Sequence, residues 1–273
     1  MTSFTRLILA SLIIPGQLAG DEGQDAAKQA AGRLAVMKSE AARYEFRAGP
    51  GGKIKAVLHP EPLLRWSNPI AEEEDAALFL WARDGRPEAA AQFFVRKDNW
   101  MHEFQSLSPQ TFAVEWAGRD IWAPERPGLR FDVVPNATPP AKKAAERSRQ
   151  MREIAGTFAA SVEFNYDGKS RYELRLLPRA VYRYGAEGEP IEGAIWAFVQ
   201  GTNPEVLLLI EARRPAGSDP QWQYAIAPMT SYPAEVTRQG KSVWKIDRQP
   251  IPTPTTTGIY LFRNQVPLRP RSE

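Results

Sequence analysis

Residues Gly193–Ala212 read GAIWAFVQGTNPEVLLLIEA, and this stretch decides the fold. Two apolar runs, Ala194–Val199 and Val206–Ile210, flank Gly201–Pro204, whose glycine, asparagine and proline favour a chain reversal. Short runs of this composition on either side of a turn predict paired strands. A helix is the alternative, but the Asn-Pro pair interrupts it and each half is too short to be stable. We therefore predict a central hairpin whose second strand is covered on both faces, because it shows little polar alternation.

The composition is that of an ordinary globular protein. The chain has 273 residues, 43% of them hydrophobic and 25% charged, which is enough for a substantial core. The net charge of +3 is small and dispersed, so nucleic acid is not an expected partner. The chain has no cysteine, which excludes disulfides and thiol catalysis.

The N-terminal segment has the order of a secretory signal peptide. Arg6 precedes the apolar run Leu7–Ile14, and small residues follow it. The run is shorter than the ~20 residues that a membrane-spanning helix needs. We predict a signal peptide over residues 1–20, an exported protein that is periplasmic or extracellular, and no membrane span after signal removal. A buried N-terminal segment is the alternative.

Two helix-like stretches each precede a series of short strands. Apolar residues at helical spacing predict helices over Asp25–Tyr44 and Ala141–Phe158, the stripes including Met37 with Tyr44 and Met151 with Phe158. Strand patterns follow each helix, and Asp84-Gly85 marks a tight turn in the first series. The same order of elements thus occurs twice.

Residue spacing indicates an internal duplication. Trp100 and Trp222 differ by 122 positions, and the same offset relates Trp122 to Trp244 without a gap. In the stretches that begin at Asp75 and Gly193, Phe79 matches Trp196, Pro87 matches Pro204 and Glu88 matches Glu205 at an offset of 117. Met37 with Tyr44 matches Met151 with Phe158 at 114. A chance alignment of β-rich segments is the alternative, but tryptophan is scarce and its spacing favours a true repeat.

The predicted fold class is α+β: two similar units, each an antiparallel β-sheet covered by one N-terminal helix. The first unit spans residues 21–134 and the second spans residues 135–248. A Pro/Thr-rich extended tail follows at 249–273, with a docking strand at 258–263. Packing about a pseudo-twofold axis would give a continuous sheet or a joint groove. Trp122 and Trp244 are expected to fill equivalent core positions.

Five residues are candidates for contact with a ligand, although packing explains most of them equally well: Trp100, His102, Glu103, Trp222 and Tyr224. On a strand, neighbouring side chains point to opposite faces, so His102 and Glu103 cannot converge on one substrate. His102 shares a face with Trp100, and its repeat counterpart is Tyr224, which favours a packing role. No catalytic residue is assigned.

Metal, cofactor and catalytic motifs are weak in this sequence. No His or Cys set has zinc spacing, and the run Glu72–Asp75 lacks the glycine-punctuated pattern of a calcium loop. We expect no metal and no cofactor. A pair of carboxylates of the glycosidase type leaves no sequence signature. The acids to test first lie in or at the ends of predicted strands: Glu103, Glu115, Glu205 and Glu211.

Several segments resemble an uncharacterised family of exported proteins from planctomycete bacteria. They are RLLPRAVYRY at Arg175–Tyr184, the central hairpin, WQYAIAPM from Trp222, WMHEFQSLS from Trp100 and QMREIAGTF from Gln150. The resemblance covers most of the mature chain. It implies an extracytoplasmic setting, and it transfers no activity and no site residues.

The sequence therefore predicts an exported, non-catalytic binding or interaction protein, whose partner is a protein or a small molecule. A carboxylate-dependent hydrolase, directed at saccharides, is the first alternative. A carrier of a lipophilic ligand, with an apolar cavity between helix and sheet, is the second.

Overall fold

The computed structural model describes residues 18–48, 54–96, 99–164, 170–185, 191–214 and 218–264. The signal peptide predicted over residues 1–20 lies largely outside these ranges. Most of the described chain is antiparallel β-structure, arranged as two similar sheets, with one helix before each. One sheet is nearly closed into a barrel, and the other forms about half of one.

The first unit consists of a helix, eight strands and a short 3-10 helix. The helix and the strands are α1 (Leu18–Ala41), β1 (Tyr44–Ala48), β2 (Ile54–Leu58), β3 (Leu64–Asn68), β4 (Glu73–Arg83), β5 (Arg86–Arg96), β6 (Asn99–Ser106), β7 (Phe112–Trp116) and β8 (Arg119–Trp122). The 3-10 helix Pro69–Ala71 lies between β3 and β4. The two-residue strand β9 (Asp132–Val133) follows this unit.

The second unit repeats this order. Its elements are α2 (Ala144–Ala155), β10 (Phe158–Phe164), β11 (Ser170–Leu176), β12 (Tyr182–Tyr184), β13 (Ile191–Gln200), β14 (Asn203–Arg213), β15 (Gln221–Pro228), β16 (Ala234–Arg238) and β17 (Lys241–Ile246). A last strand, β18 (Tyr260–Arg263), lies within the segment in which the docking strand was predicted.

The two sheets have the same strand order and the same pairing register. The first runs β18-β6-β5-β4-β2-β1-β7-β8, and the second runs β9-β15-β14-β13-β11-β10-β16-β17. Trp122 pairs with Val114 in one sheet, as Trp244 pairs with Val236 in the other. The predicted repeat is therefore present as two similar sheets. Trp122 is buried, whereas Trp244 is half-buried at the edge of its core.

The two units exchange their last strands. β9, which follows the first unit, pairs with β15 of the second, and β18, which follows the second unit, pairs with β6 of the first. The chain before β18 also bonds to the chain after β8, through the amides of Ala123 and Glu125 and the carbonyls of Thr256 and Thr257. These bonds link the chain next to the two edge strands of the first sheet, β18 and β8. Each sheet thus depends on the other unit for one edge.

The central hairpins of the two units are buried on both faces. Alternate residues of β14 pack either into the core of their own sheet, as Leu208 does, or against the other unit, as Leu207 and Leu209 do. Leu78 and Leu80 of β4 lie in the same layer between the units. The predicted double burial of the second hairpin strand is therefore confirmed, and the contact between units is a hydrophobic core of its own.

The turn of the central hairpin is shorter than predicted. β14 begins at Asn203 and includes Pro204, so that only Gly201 and Thr202 connect it to β13. Gly201 takes a positive φ of 62°, which a glycine adopts without strain. The proline is tolerated because the ladder is irregular there, with a bulge between Phe198 and Val199.

The predicted helix over each sheet is not what the structure shows. In α1 the residues from Gln24 to Gln29 are exposed, and burial is confined to its C-terminal turns, which include Met37 and Ala41. α2 buries Met151 in the same manner. The helices end earlier than expected, because Tyr44 and Phe158 begin strands β1 and β10. Aromatic residues are favourable in a half-buried strand, and both of these residues belong to strands and not to the helices.

Candidate functional site

A polar cleft lies between the two units at one end of their hydrophobic contact. Its cavity volume, measured as the space open to the centres of water-sized molecules, is about 60 Å³. The first unit and β18 contribute Asn68, Ala71, Glu73, Gln92, Phe94, Arg96, Glu103 and Phe262. The second unit and its connectors contribute Phe164, Asn203, Glu205, Met229, Thr230, Ser231, Tyr232 and Ile251. Three carboxyl groups from two sheets therefore line one small space.

Glu103 is the carboxyl that β6 places in the cleft. Its neighbour His102 points into the core of the first sheet, so the strand's alternation separates the two side chains as predicted. The Tyr260 hydroxyl donates to Glu103 Oε1 at 2.5 Å. Burial raises the pKa of Glu103 to about 8, despite this bond and the attraction of Arg96. Glu103 is therefore protonated at neutral pH.

Glu205 enters the cleft from the irregular start of β14. Asn203 Nδ2 donates to Glu205 Oε1 at 2.8 Å, and Thr230 supplies a second hydrogen bond. Burial raises the pKa of Glu205 well above its usual range, and the neighbouring carboxyls Glu103 and Glu73 raise it further. Burial therefore favours the neutral form of this carboxyl group.

Glu73 stands at the start of β4 and is the carboxyl with the nearest cation. Arg96 approaches its Oε1 at 3.7 Å, and Trp66 Nε1 donates to its Oε2 at 3.3 Å. Burial nevertheless raises the pKa of Glu73 above its ordinary value. Charge in the cleft is thus compensated at its Glu73 end.

Among the described residues that line the cleft, two buried polar atoms have no hydrogen-bond partner, Arg96 Nε and Asn203 Oδ1. Asn203 is only 8% exposed and uses its amide nitrogen for Glu205, while its Oδ1 is buried and accepts no hydrogen bond from the described residues. A buried amide oxygen without a partner costs about 1–3 kcal/mol. The cleft therefore presents an unused acceptor beside an uncompensated carboxyl.

Gln92 fixes the two units against each other beside the cleft. Its Nε2 donates to the carbonyl of Pro204 at 2.5 Å and to that of Met229 at 3.1 Å. Both carbonyls belong to the second unit, whereas Gln92 lies on β5 of the first. The polar side chains around the cleft are thus held in place by bonds across the unit boundary.

The opposite end of the unit contact carries a carboxyl with a full set of partners. Glu211 accepts from Arg86 Nη2 at 3.0 and 3.2 Å, and from the Tyr184 hydroxyl at 2.8 Å. Arg213 lies 3.5 Å away from the same group. Glu211, which the sequence offered as a catalytic acid, is instead part of a structural ion-pair network.

The other predicted candidates do not line the cleft. His102 stacks on Phe93 at 3.9 Å, and its Nδ1 lies 2.5 Å from the Tyr44 hydroxyl. Burial lowers the pKa of His102 well below its usual range, so the imidazole is neutral. Trp100 packs against the core of the first sheet, and Trp222 and Tyr224 lie in the core of the second.

The acidic sequence around Glu73 and the remaining strand acid, Glu115, form no common site. Asp75 is bonded by Arg65 and Arg33 on the flank of the first unit, and Glu115 pairs with Arg47 on the sheet surface. Among the described residues, no group of three His, Asp or Glu side chains could hold a metal ion. In the same ranges, no helix is long and apolar enough to cross a bilayer.

A second concave region lies on the outer surface of the second sheet. It is polar and contains Arg171, Lys245 and Glu235, which bridges both cations at 2.9 and 3.1 Å. Bonds from Ser242 and Arg171 lower the pKa of Glu235 to about 2. These charges are satisfied by one another.

Sequence reasoning singled out Glu103 and Glu205 but missed Asn203, Thr230 and Tyr260. The repeat itself contained a signal that the second hairpin differs from the first. Glu88, the counterpart of Glu205 at the 117 offset, is paired with Arg83 at 2.6 Å. Gln200 occupies the position of Arg83 in the second unit, so Glu205 lacks the corresponding cation.

No family model, curated protein or solved structure matches this chain.

Proposed function

We propose that the protein binds a small polar molecule in the cleft between its two units and does not act on it chemically. The supporting observation is the incompletely paired polar set, Glu103, Glu205 and Asn203, at the edge of an otherwise apolar contact. Buried carboxyls and an unused amide oxygen lower stability, and apolar side chains of similar size would avoid that cost. Polar groups of this kind are expected in a binding site, where a bound ligand supplies the missing hydrogen-bond partners.

The proposal agrees with the protonation of the cleft. Burial raises the pKa of Glu103 to about 8 and the pKa of Glu205 well above its usual range, and a protonated carboxyl can both donate and accept hydrogen bonds, as a polar ligand requires. A glycosidase needs one carboxyl as an acid and another as an ionised nucleophile or base. Burial raises the pKa of all three carboxyls, which disfavours the second role.

A hydrolase is nevertheless the second candidate, because three acids share one cleft. In that case Glu73, next to Arg96, would be the ionised group, and Glu103 would be the general acid. Chromogenic glycosides test this directly. A hydrolase predicts turnover that Glu103→Gln lowers at least 100-fold, whereas the binding proposal predicts none.

A carrier of lipophilic ligands is less well supported. The interior of the first sheet, behind α1, is filled by aromatic rings: Phe46, Trp81, Phe104, Phe112 and Trp122. Phe46 packs on Trp81 with ring centroids 4.7 Å apart, and Phe104 contacts Trp122 at 5.9 Å. Rings at these distances leave little space for an apolar guest.

The binding proposal is tested by a ligand-detected NMR screen of small polar compounds against the full chain. We expect binders that lose their signal with Asn203→Leu, which removes the unused acceptor and the bond to Glu205. Thr202→Ala, on the exposed turn next to it, is the matched control and should keep the signal. Binders that respond equally to both variants would locate the site elsewhere and refute the proposal.

Export of the protein also belongs to the proposal. It is supported by the order of charge, apolar run and small residues in the first 20 positions. The resemblance to exported planctomycete proteins agrees with it. Expression of the full chain in a bacterium, fractionation and N-terminal sequencing should yield a form shortened by about 20 residues outside the cytoplasm.

A further inference from the structure

We infer that the cleft between the two units binds the primary ammonium group of a small organic amine. This inference rests on the proposed function of the same cleft and names the chemical class of its ligand. Its basis is the set of acceptors around Glu205, the distribution of charge, the apolar walls and the comparison with the equivalent hairpin.

The acceptors near Glu205 match the donors of an ammonium group. Asn203 Oδ1 is buried and unused by the described residues, and it belongs to the side chain that bonds Glu205. The carboxyls of Glu205 and Glu103 line the same space. A primary ammonium group has three N–H donors and no acceptor, so it can serve all three side chains at once.

The charge of the lining selects a cation over an anion. Among the described lining residues, three are acidic and one, Arg96, is basic. Arg96 lies at the Glu73 end, where it approaches that carboxyl at 3.7 Å. A bound anion would face three carboxyls, whereas a cation would favour the ionised form of Glu205, on which no cation in the lining acts.

The size and walls of the cleft favour an organic cation. Among the described residues, no group of acids is placed to hold a metal ion. The walls also include Phe94, Phe262, Met229 and Ile251. An ammonium head can reach the acceptors while its alkyl part packs on these side chains.

The first unit shows what the second lacks. At the equivalent hairpin, the guanidinium of Arg83 lies 2.6 Å from Glu88 and balances its charge. The corresponding residue in the second unit is Gln200, and the counterpart of Arg86 is Asn203. Two cations are therefore absent from the hairpin that lines the cleft, and the ligand's ammonium group takes their place.

Binding of a cation should be linked to proton release. A nearby positive charge favours the ionised form of a carboxyl, so the amine would draw protons from the cleft. The titratable or charged groups around the cleft are Glu73 on β4, Arg96 on β5, Glu103 on β6, Glu205 on β14 and Tyr260 on β18. Tyr232 lines the cleft from the adjoining loop, and Arg248 lies over its ring. Affinity should therefore increase as pH rises towards about 8.

The experiment uses isothermal titration of the full chain with four probes that share a four-carbon chain: butylammonium, 1-butanol, butyrate and butyltrimethylammonium. We expect butylammonium to bind at least tenfold more tightly than the other three. Its affinity should increase about tenfold from pH 6.5 to pH 8. Titrations in two buffers of different ionisation enthalpy should show that binding releases protons. Glu205→Gln and Asn203→Leu should each weaken it at least tenfold, and Thr202→Ala should not.

Any other result of this titration overturns the inference. The results also distinguish a failure of the inference from a failure of the proposed function. Equal affinity for 1-butanol would show that the cleft takes a neutral ligand, which refutes the ammonium inference and leaves the binding proposal intact. Binding of butylammonium that neither cleft variant weakens would place the amine elsewhere and refute the inference. Absence of binding at 10 mM butylammonium would refute it too, while the NMR screen decides the proposed function independently.

Discussion

The two equivalent hairpins of this protein carry the same buried glutamate in different electrostatic settings. Glu88 on β5 is 2% exposed and has the Arg83 guanidinium at 2.6 Å. Glu205 on β14 is also 2% exposed, but it has Asn203 and Thr230 as partners and Gln200 where the arginine would be. Both hairpins have the same register irregularity at the glutamate, which is skipped in the pairing with the preceding strand.

This difference shows how one copy of a repeat can acquire a site without a change of fold. The bulge places the glutamate in both units, and only the identity of the residue across the turn decides whether its charge is balanced. Where an arginine is present, the glutamate is structural. Where glutamine replaces it, no cation balances the carboxyl, and a polar cleft remains at that end of the unit contact.

The largest expected effect comes from the uncompensated acids. Glu103 keeps its proton to about pH 8 when folded but ionises near 4.5 when unfolded, so the unfolded state binds fewer protons between these values. Stability should therefore fall as pH rises through this window and level off above it. At about 1.36 kcal/mol per pH unit, Glu103→Gln should exceed the wild type by up to roughly 5 kcal/mol above pH 8 and equal it near pH 4.5. Urea unfolding at a series of pH values measures the difference.

Glu235 on the outer surface is the control for this experiment. Its pKa is lowered to about 2, so its contribution to stability is present above the unfolded value and is lost as pH falls towards 2. Glu235→Gln should therefore destabilise the protein at neutral pH and lose that effect in acid. If Glu103→Gln and Glu235→Gln showed the same sign, the assignment of an uncompensated acid to the cleft would be wrong.

The compensated glutamate gives the next largest effect. Arg83→Met leaves Glu88 buried without its cation, and breaking such a buried pair costs about 3–5 kcal/mol. Gln200→Met, at the equivalent position of the second unit, removes no ion pair and should cost less than about 1 kcal/mol. Denaturant unfolding at pH 7 compares the two variants. Similar losses would mean that the two hairpins do not differ in the way described.

These contrasts also mark what the sequence could and could not predict. The pairing register was predictable, because Trp122 and Trp244 keep the spacing at which both sheets pair. The ends of the helices were not, since the aromatic residue that closes each helical stripe, such as Tyr44, is also a good strand residue. Glu103 was a candidate on its own strand, but its approach to Glu205 depends on the packing of one unit on the other. That packing leaves no local pattern in the sequence.

The equivalent tryptophans test the same asymmetry with a smaller effect. Trp122 is 1% exposed, and its Nε1 donates to the Gly258 carbonyl at 2.7 Å, whereas Trp244 is half-buried. Trp122→Phe loses buried area and a hydrogen bond, so we expect a cost of about 2 kcal/mol. Trp244→Phe should cost about 0.5 kcal/mol or less. Thermal unfolding measures the loss of stability in both variants. If Trp244→Phe lost as much stability as Trp122→Phe, the proposed difference between the two tryptophans would be wrong.

The smallest effect on stability, and the sharpest test of the comparison, should come from restoring the missing arginine. Gln200→Arg places a guanidinium where Arg83 stands in the first unit, at the cost of the long hydrogen bond from Asn68 to Gln200 (3.4 Å). We expect the free energy of unfolding to change by less than about 1 kcal/mol. The new cation should ionise Glu205 and occupy its acceptors, so butylammonium should bind at least tenfold more weakly. Thr202→Arg, on the exposed turn, adds the same charge away from the cleft and should leave the affinity unchanged. If both variants weakened binding equally, general repulsion would explain the result, and the equivalence of the two hairpins would not.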